Sequence, residues 1–197
     1  MKRLIAILAL AAGLTASAQN ASIRFDINRT TGEIDTNIYG GFMEPIGRAN
    51  GGNSLYGPVY DPSSPLANAD GFRTDVIEAF KELKITNMRW PGGNYTSNYN
   101  WMDGIGPKDK RPVRIDPAWG GIDINQVGTD EWVALNRAIG SENVTCLNFG
   151  FGTIDQARYW LEYCNRPTGT TYADMRAQNG NPEPFNIKYW CLGNEVD

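Results

Sequence analysis

From residue 70 onward the chain switches repeatedly between two spacings of apolar residues. Val76, Ile77, Phe80 and Leu83 recur at three and four positions, which predicts a helix over 70–83. A helix over 129–139 opens at Thr129, a residue suited to an N-cap, and a third over 153–164 places Ile154, Ala157, Trp160 and Leu161 on one side. Short apolar runs between them read as strands: 38–43, 87–90, 144–149 and 187–192. Ile23, Phe25 and Ile27 alternate with polar residues, so 21–28 reads as a further strand. Gly, Asn, Ser and Pro crowd 49–69, and a polar, aromatic stretch runs from Pro91 to about Asn125; both read as loops. Residues 165–185 form another loop-rich connection, with a short helix near 172–177.

Strand, helix, strand, helix in regular alternation implies a parallel sheet with crossover helices. The class is therefore α/β, either a doubly wound sheet or a (β/α)8 barrel. No Gly-x-Gly-x-x-Gly follows the first strand, which disfavours a dinucleotide-binding sheet. A complete barrel needs roughly 250 residues. Four strands followed by helical repeats correspond to the first half of a (β/α)8 TIM barrel.

The N-terminus changes the picture of where the fold starts. Lys2 and Arg3 precede an apolar run from Ile5 to Leu14, and Ala16-Ser17-Ala18 supplies a small-x-small site. That order reads as a secretory signal over 1–18, cut before Gln19, and places the protein outside the cytoplasm, secreted or periplasmic. Without Lys2 and Arg3 the net charge moves from −4 to −6. An acidic chain is a poor partner for nucleic acid or an anionic membrane, and neither is expected. His is absent, and Cys146, Cys164 and Cys191 show no metal or redox spacing. Histidine-based triads and His-ligated metals are excluded for these residues; no metal and no cofactor is expected. Cys146 and Cys191 read as small buried thiols in apolar strands.

In a barrel the chemistry collects at the C-terminal ends of the strands. In order, those ends carry Phe42-Met43-Glu44, then Arg89-Trp90-Pro91-Gly92-Gly93-Asn94, then Asn148-Phe149-Gly150-Phe151-Gly152, then Gly193-Asn194-Glu195. Carboxylates, a guanidinium, amides and aromatic rings on one rim suit a neutral sugar, which needs hydrogen-bond partners for hydroxyls and apolar faces for ring carbons. Glu195 follows the apolar run Tyr189-Trp190-Cys191-Leu192, a setting expected to desolvate its carboxyl and raise its pKa toward that of a general acid. Asn94-Tyr95-Thr96 and Asn143-Val144-Thr145 match the glycosylation sequon, but the first falls on a rim residue.

The run Tyr189 to Glu195 resembles the acid/base strand of the family 51 α-L-arabinofuranosidases, retaining glycoside hydrolases. Arg89-Trp90-Pro91-Gly92-Gly93-Asn94, Asn100-Trp101-Met102-Asp103-Gly104-Ile105-Gly106-Pro107, Arg111-Pro112, Asn125 to Thr129 and Glu162 to Asn165 are similar to the same family. The resemblance implies that Glu195 is the catalytic acid/base and that Asn194 holds the sugar 2-hydroxyl. It further implies that Glu44 and Asn94 bind other hydroxyls, that Trp119 walls the site and that Arg89 supports it by orienting carboxylates from beneath. The family often has His where Pro45 stands. After the signal over 1–18 it also implies two divisions: a strand within 19–34 that joins a β-sandwich following the barrel, and the partial barrel over 35–197. The nucleophile, a Glu on a later strand in the family, is expected beyond Asp197, so this stretch alone is expected to be inactive. The implied substrates are arabinose-containing polysaccharides or oligosaccharides, with release of non-reducing-end α-L-arabinofuranosyl units; oligomeric state stays open. Two other readings remain at this point, another retaining glycosidase of the same clan and an inactive sugar-binding protein.

Overall fold

The computed structural model describes residues 21–46 and 56–196. Two units are distinguished, one ending at Ile34 and one beginning at Asp35. In the first, the expected strand over 21–28 is absent among the described residues. Residues 21–26 form no ladder, a turn follows at 27–28, and Ile23, Phe25 and Ile27 are exposed. An alternating segment becomes a strand only where a neighbour pairs with it. The signal reading of 1–18 falls outside the described residues.

The second unit is built on one parallel sheet. Its strands are β1 (Gly41–Phe42), β2 (Asn87–Trp90), β5 (Glu142–Cys146) and β6 (Tyr189–Cys191), hydrogen-bonded in the order β1-β2-β5-β6. All three pairings are parallel, with Phe42 opposite Arg89, Trp90 opposite Thr145 and Cys146 opposite Cys191. Helices α1 (Thr74–Glu82), α2 (Thr129–Ile139), α3 (Ile154–Asn165) and α4 (Thr171–Gln178) lie between the strands in sequence. The strand foreseen over 38–43 is shorter, because Thr36–Tyr39 wind into a 3-10 turn capped by the Asp35 side chain. A second, antiparallel pair, β3 (Arg114–Ile115) and β4 (Ile122–Asp123), forms a hairpin inside the stretch read as loop.

The core is aromatic. Met88 and Trp90 alternate with Asn87 and Arg89 along β2, and only the first two are buried. Trp90, wholly buried, stacks on Trp132 of α2 with centroids 5.5 Å apart. Trp160 of α3 stacks on Trp101 at 6.1 Å. Three of the four indole N–H groups have an acceptor: Trp90 donates to the Tyr56 hydroxyl, Trp160 to the Thr129 hydroxyl and Trp101 to the Gln156 carbonyl, whereas the buried Trp132 N–H has none among the described residues. Deleting such a ring costs about 3–5 kcal/mol. The period-two pattern of β2 thus sends Trp90 into the core and Arg89 to the opposite face.

The helix starts differ in how they are capped. Thr129 is the first residue of α2 rather than its N-cap; Gly128 takes that place, and Glu131 reaches back to the Gly128 N–H at 2.9 Å. The Thr129 hydroxyl is engaged by Trp160 instead, so a core contact outcompetes the cap. At α3 the Thr153 hydroxyl accepts from the Gln156 N–H and the Gln156 side chain accepts from the Thr153 N–H, a reciprocal capping box. Arg176 of α4 is fully buried and donates to the carbonyls of Tyr163, Arg166, Asn181 and Pro182. It makes no ion pair among the described residues.

Candidate active site

Strands β1, β2 and β6 end at one rim, with β5 between the last two, and the residues that follow them meet there. Arg89, on the face of β2 away from the Trp90 core, lies over the Phe42 ring with its guanidinium carbon 4.9 Å from the centroid. Its Nη2 donates to Asn194 Oδ1 at 2.8 Å and to the Gly92 carbonyl at 3.1 Å. Asn194 Nδ2 in turn donates to Asn94 Oδ1 at 3.1 Å. A guanidinium donor on Oδ1 fixes which way the Asn194 amide faces, leaving Nδ2 turned toward Asn94. Among the described residues the hydrogen-bond partners of Arg89 are the Asn194 amide, the Gly92 carbonyl and, at 3.6 Å, the Cys146 sulfur; none is a carboxylate. The Cys146 thiol, wholly buried, donates to the Gly193 carbonyl at 3.2 Å and holds the β6 exit from below. Burial pushes that thiol's pKa up and keeps it protonated, as a donor must be.

Glu44 forms a second cluster. Its Oε1 accepts from the Tyr95 backbone N–H at 3.0 Å and from the Trp119 indole N–H at 2.9 Å. The carboxylate comes so close to the Pro91-Gly92-Gly93 turn that a side-chain carbon on Gly92 would sit 2.6 Å from Glu44 Cγ. Gly92 also has φ +151°, a conformation essentially confined to glycine. Gly93 lies between the two clusters, its Cβ position 3.1 Å from Glu44 Oε2 and 3.4 Å from Asn194 Oδ1. Pro45, next to Glu44, is buried.

Gly193 turns the chain out of β6 at φ +90°, where a side-chain carbon would lie 2.9 Å from Phe149 Cβ. Asn194 follows, and then Glu195 at φ +47°. Glu195 is exposed, so its described surroundings do not supply the desolvation expected from the apolar strand before it. Strand β6 ends at Cys191, and Leu192 is itself 65% exposed. The apolar run therefore does not carry a covered environment up to the carboxyl.

The other residues foreseen from the sequence all lie on this rim. Glu44 and Trp119 touch; Arg89, Asn194 and Asn94 touch; Glu195 neighbours Asn194 in the chain. Residues the sequence reading passed over also bear on the site: Tyr95, Asp116 and Asp123. The Tyr95 hydroxyl donates to Asp123 Oδ2, and both residues are 5% exposed. Burial pushes the Asp123 carboxyl up, and the Tyr95 bond opposes that rise. Asp116, 2% exposed, is pushed up by the same cause. The signal for Asp116 and Asp123 lay in the turn residues Asp116-Pro117 and Gly120-Gly121, flanked by Arg114-Ile115 and Ile122-Asp123; Tyr95 had none.

Comparison with known proteins shows the family. Residues 79–197 match the family described as Alpha-L-arabinofuranosidase 1 domain. The chain is 50% identical over 169 residues to Alpha-L-arabinofuranosidase C of Emericella nidulans, covering 86% of this chain and 32% of the relative. It is 44% identical over 177 residues to an intracellular exo-α-(1→5)-L-arabinofuranosidase of Halalkalibacterium halodurans, covering 90% and 34%. Among solved structures, the GH51 α-L-arabinofuranosidase of Thermotoga petrophila superposes with TM-score 0.76 at 52% identity, over 81% of this chain and 32% of that one. The GH51 enzyme of Xanthomonas axonopodis pv. citri gives 0.79 at 32% identity, over 86% and 34%. The chain thus spans about a third of the length of the relatives it matches. On the match over 79–197 and these likenesses, the chain belongs to the family 51 α-L-arabinofuranosidases.

Proposed function

We propose that this chain supplies the sugar-binding rim and the acid/base of a retaining hydrolase that releases non-reducing-end α-L-arabinofuranosyl units. Its substrates are arabinose-containing polysaccharides or oligosaccharides. The observation that carries the reading is the relay Arg89–Asn194–Asn94 beside Glu195, which joins the ends of β2 and β6 across β5. In it, Glu195 protonates the glycosidic oxygen as the bond to C1 breaks, and a second carboxylate forms the glycosyl ester. Glu195 then takes a proton from water, whose oxygen displaces that ester. Asn194 faces the 2-hydroxyl through an amide that Arg89 holds in one orientation. Glu44 and Asn94 take other hydroxyls, and Trp119 presents an apolar wall. Of the Glu44 oxygens, Oε1 is occupied by Tyr95 and Trp119, so Oε2 is the one turned to ligand.

A retaining pair of carboxyls stands ~5–5.5 Å apart. Glu44 is read as a binder of sugar hydroxyls through Oε2, and the attacking carboxylate is read, as the family resemblance implies, as a Glu on a later strand outside 1–197, so this stretch alone is expected not to hydrolyse. The sheet is read as the first half of a (β/α)8 barrel, and 21–28 as a strand that pairs within a β-sandwich. Export rests on the N-terminus of this chain alone, since the Halalkalibacterium relative is named intracellular. N-terminal sequencing of the exported protein should begin at Gln19, and a product retaining Met1 sinks export.

The test of the acid/base is Glu195→Ala in the full-length protein that carries this chain. Turnover of a poor leaving group should fall by about 10²–10⁴, an activated aryl arabinofuranoside should suffer less, and added azide should restore turnover. Equal losses on both substrates with no azide effect would make Glu195 structural.

A further inference from the structure

The hairpin of β3 and β4 carries Trp119 at its tip, yet little apolar burial holds it down. Ile115 is 79% exposed and Ile122 56%. Beneath it lies a cavity of about 200 Å³, lined by Tyr95, Tyr99, Asp103, Asp116 and Asp123 among others. Packing therefore does not fix where the hairpin sits, and a segment with few buried apolar contacts opens easily. Its hold on the body is polar. Asp123 Oδ2 accepts the Tyr95 hydroxyl, and Asp123 Oδ1 accepts the Asn125 N–H at 2.8 Å. Arg114 bonds Asp103 at 2.7 Å, but that arginine is exposed. Within the hairpin, Asp116 Oδ1 accepts the Ala118 N–H at 2.9 Å, the Asp116 N–H donates to the Gly121 carbonyl and the Asp116 carbonyl accepts the Gly120 N–H, which shapes the turn that presents Trp119.

These contacts close a ring. The Tyr95 N–H binds Glu44 Oε1; the Tyr95 hydroxyl binds Asp123; Asp123 belongs to the hairpin; and Trp119, at the tip of that hairpin, returns to the same Glu44 Oε1. We infer that Tyr95 is a positioning residue that sets Glu44 and Trp119 in register, its backbone holding the carboxylate and its buried hydroxyl locking the hairpin through Asp123. The consequence for activity rests on the arabinofuranosidase reading above; the lock itself does not. Tyr95→Phe is the informative change. It removes one oxygen, keeps the ring against Tyr99 (centroids 5.5 Å apart) and keeps the N–H on Glu44.

The experiment uses the full-length protein with two readouts. In hydrogen exchange, the amides of Asp116, Ala118 and Gly120 should exchange about tenfold faster in Tyr95→Phe, as expected when a bond to a charged group is lost, while amides of α2 stay unchanged. In kinetics on 4-nitrophenyl α-L-arabinofuranoside, KM should rise about tenfold with kcat within about twofold. Adding Tyr95→Phe to Trp119→Ala should cost nothing further, because Tyr95 acts through Trp119. Asp123→Asn, which keeps an acceptor for the hydroxyl, should retain slow exchange. Unchanged hairpin exchange in Tyr95→Phe overturns the lock. Faster exchange with full additivity against Trp119→Ala overturns the positioning role. A wild-type protein that does not cleave the arabinoside overturns the functional reading, and exchange still decides the lock.

Discussion

Replacing Arg89 by lysine keeps the positive charge and removes the geometry. In the structure one nitrogen, Nη2, serves Asn194 Oδ1 at 2.8 Å, the Gly92 carbonyl at 3.1 Å and, more distantly, the Cys146 sulfur at 3.6 Å, while the guanidinium lies over Phe42. A shorter, rotating ammonium keeps at most one of these acceptors and no stacked plane. A hydrogen bond involving a charged group is worth about 1.5–3 kcal/mol, and ~1.4 kcal/mol is a tenfold change in rate. Losing the Asn194 bond alone should therefore lower kcat/KM by about 10–100-fold. The fall should appear mainly in kcat, because a contact to the 2-hydroxyl strengthens as charge develops at C1. The assay is initial rates of the purified full-length protein on 4-nitrophenyl α-L-arabinofuranoside, with thermal unfolding as the control for folding. Asn194→Ala should cost no more in the Arg89→Lys background than a few-fold, since its orientation is already lost. A change in kcat/KM below threefold, or full additivity with Asn194→Ala, would refute the claim that Arg89 works by orienting Asn194.

Two further outcomes follow from the same contacts. Gly92→Ala forces a side-chain carbon to 2.6 Å from Glu44 Cγ at a φ that non-glycine residues avoid. It should cost about 1–3 kcal/mol of stability and raise KM, measured by thermal unfolding and Michaelis kinetics. Burial pushes the Asp130 carboxyl up to about 6 from its ordinary 3.8, although the Tyr163 hydroxyl donates to it. The folded state therefore holds that proton more tightly than the unfolded chain. The stability it confers is complete below about 3.8, is lost as pH rises through about 6, and amounts to ~3 kcal/mol at ~1.4 kcal/mol per pH unit. Asp130→Asn, neutral throughout, should match the wild type near pH 4 and melt higher near pH 7.5. Parallel melting curves across that range would sink the assignment.

Much of the second unit was legible from spacing alone. The β2 strand appears at its expected limits, and α2 as well, because Trp132, Val133, Leu135 and Ile139 mark one helical face clearly. The rim could be read because the alternation of β2 fixes which side Arg89 leaves by. What the spacing did not convey depends on contacts distant in sequence. Residues 21–28 alternate but lack a pairing strand among the described residues. Thr129 had the chemistry of a cap, but Trp160, thirty-one positions on, takes its hydroxyl. The hairpin of β3 and β4 has only two residues per strand, too few for a period-two pattern to register. Tyr95 looked like one more aromatic in a loop; its role follows from Asp123, which no local pattern connects to it.

The carbonyl cage around Arg176 has an evolutionary consequence. Most buried charges are matched by an opposite charge, so the two positions can change together and leave a trace of co-variation. Here the matching partners are four main-chain oxygens, contributed by Tyr163, Arg166, Asn181 and Pro182. Backbone oxygens are present whatever side chain the residue bears. Substitutions at those four positions therefore leave the cage intact as long as the chain keeps its path. Arg176 has no such freedom, since lysine offers no planar fork and a neutral residue strands four acceptors. Across relatives that share this connection, the position should be fixed while its surroundings drift, an invariance that co-variation analysis cannot detect.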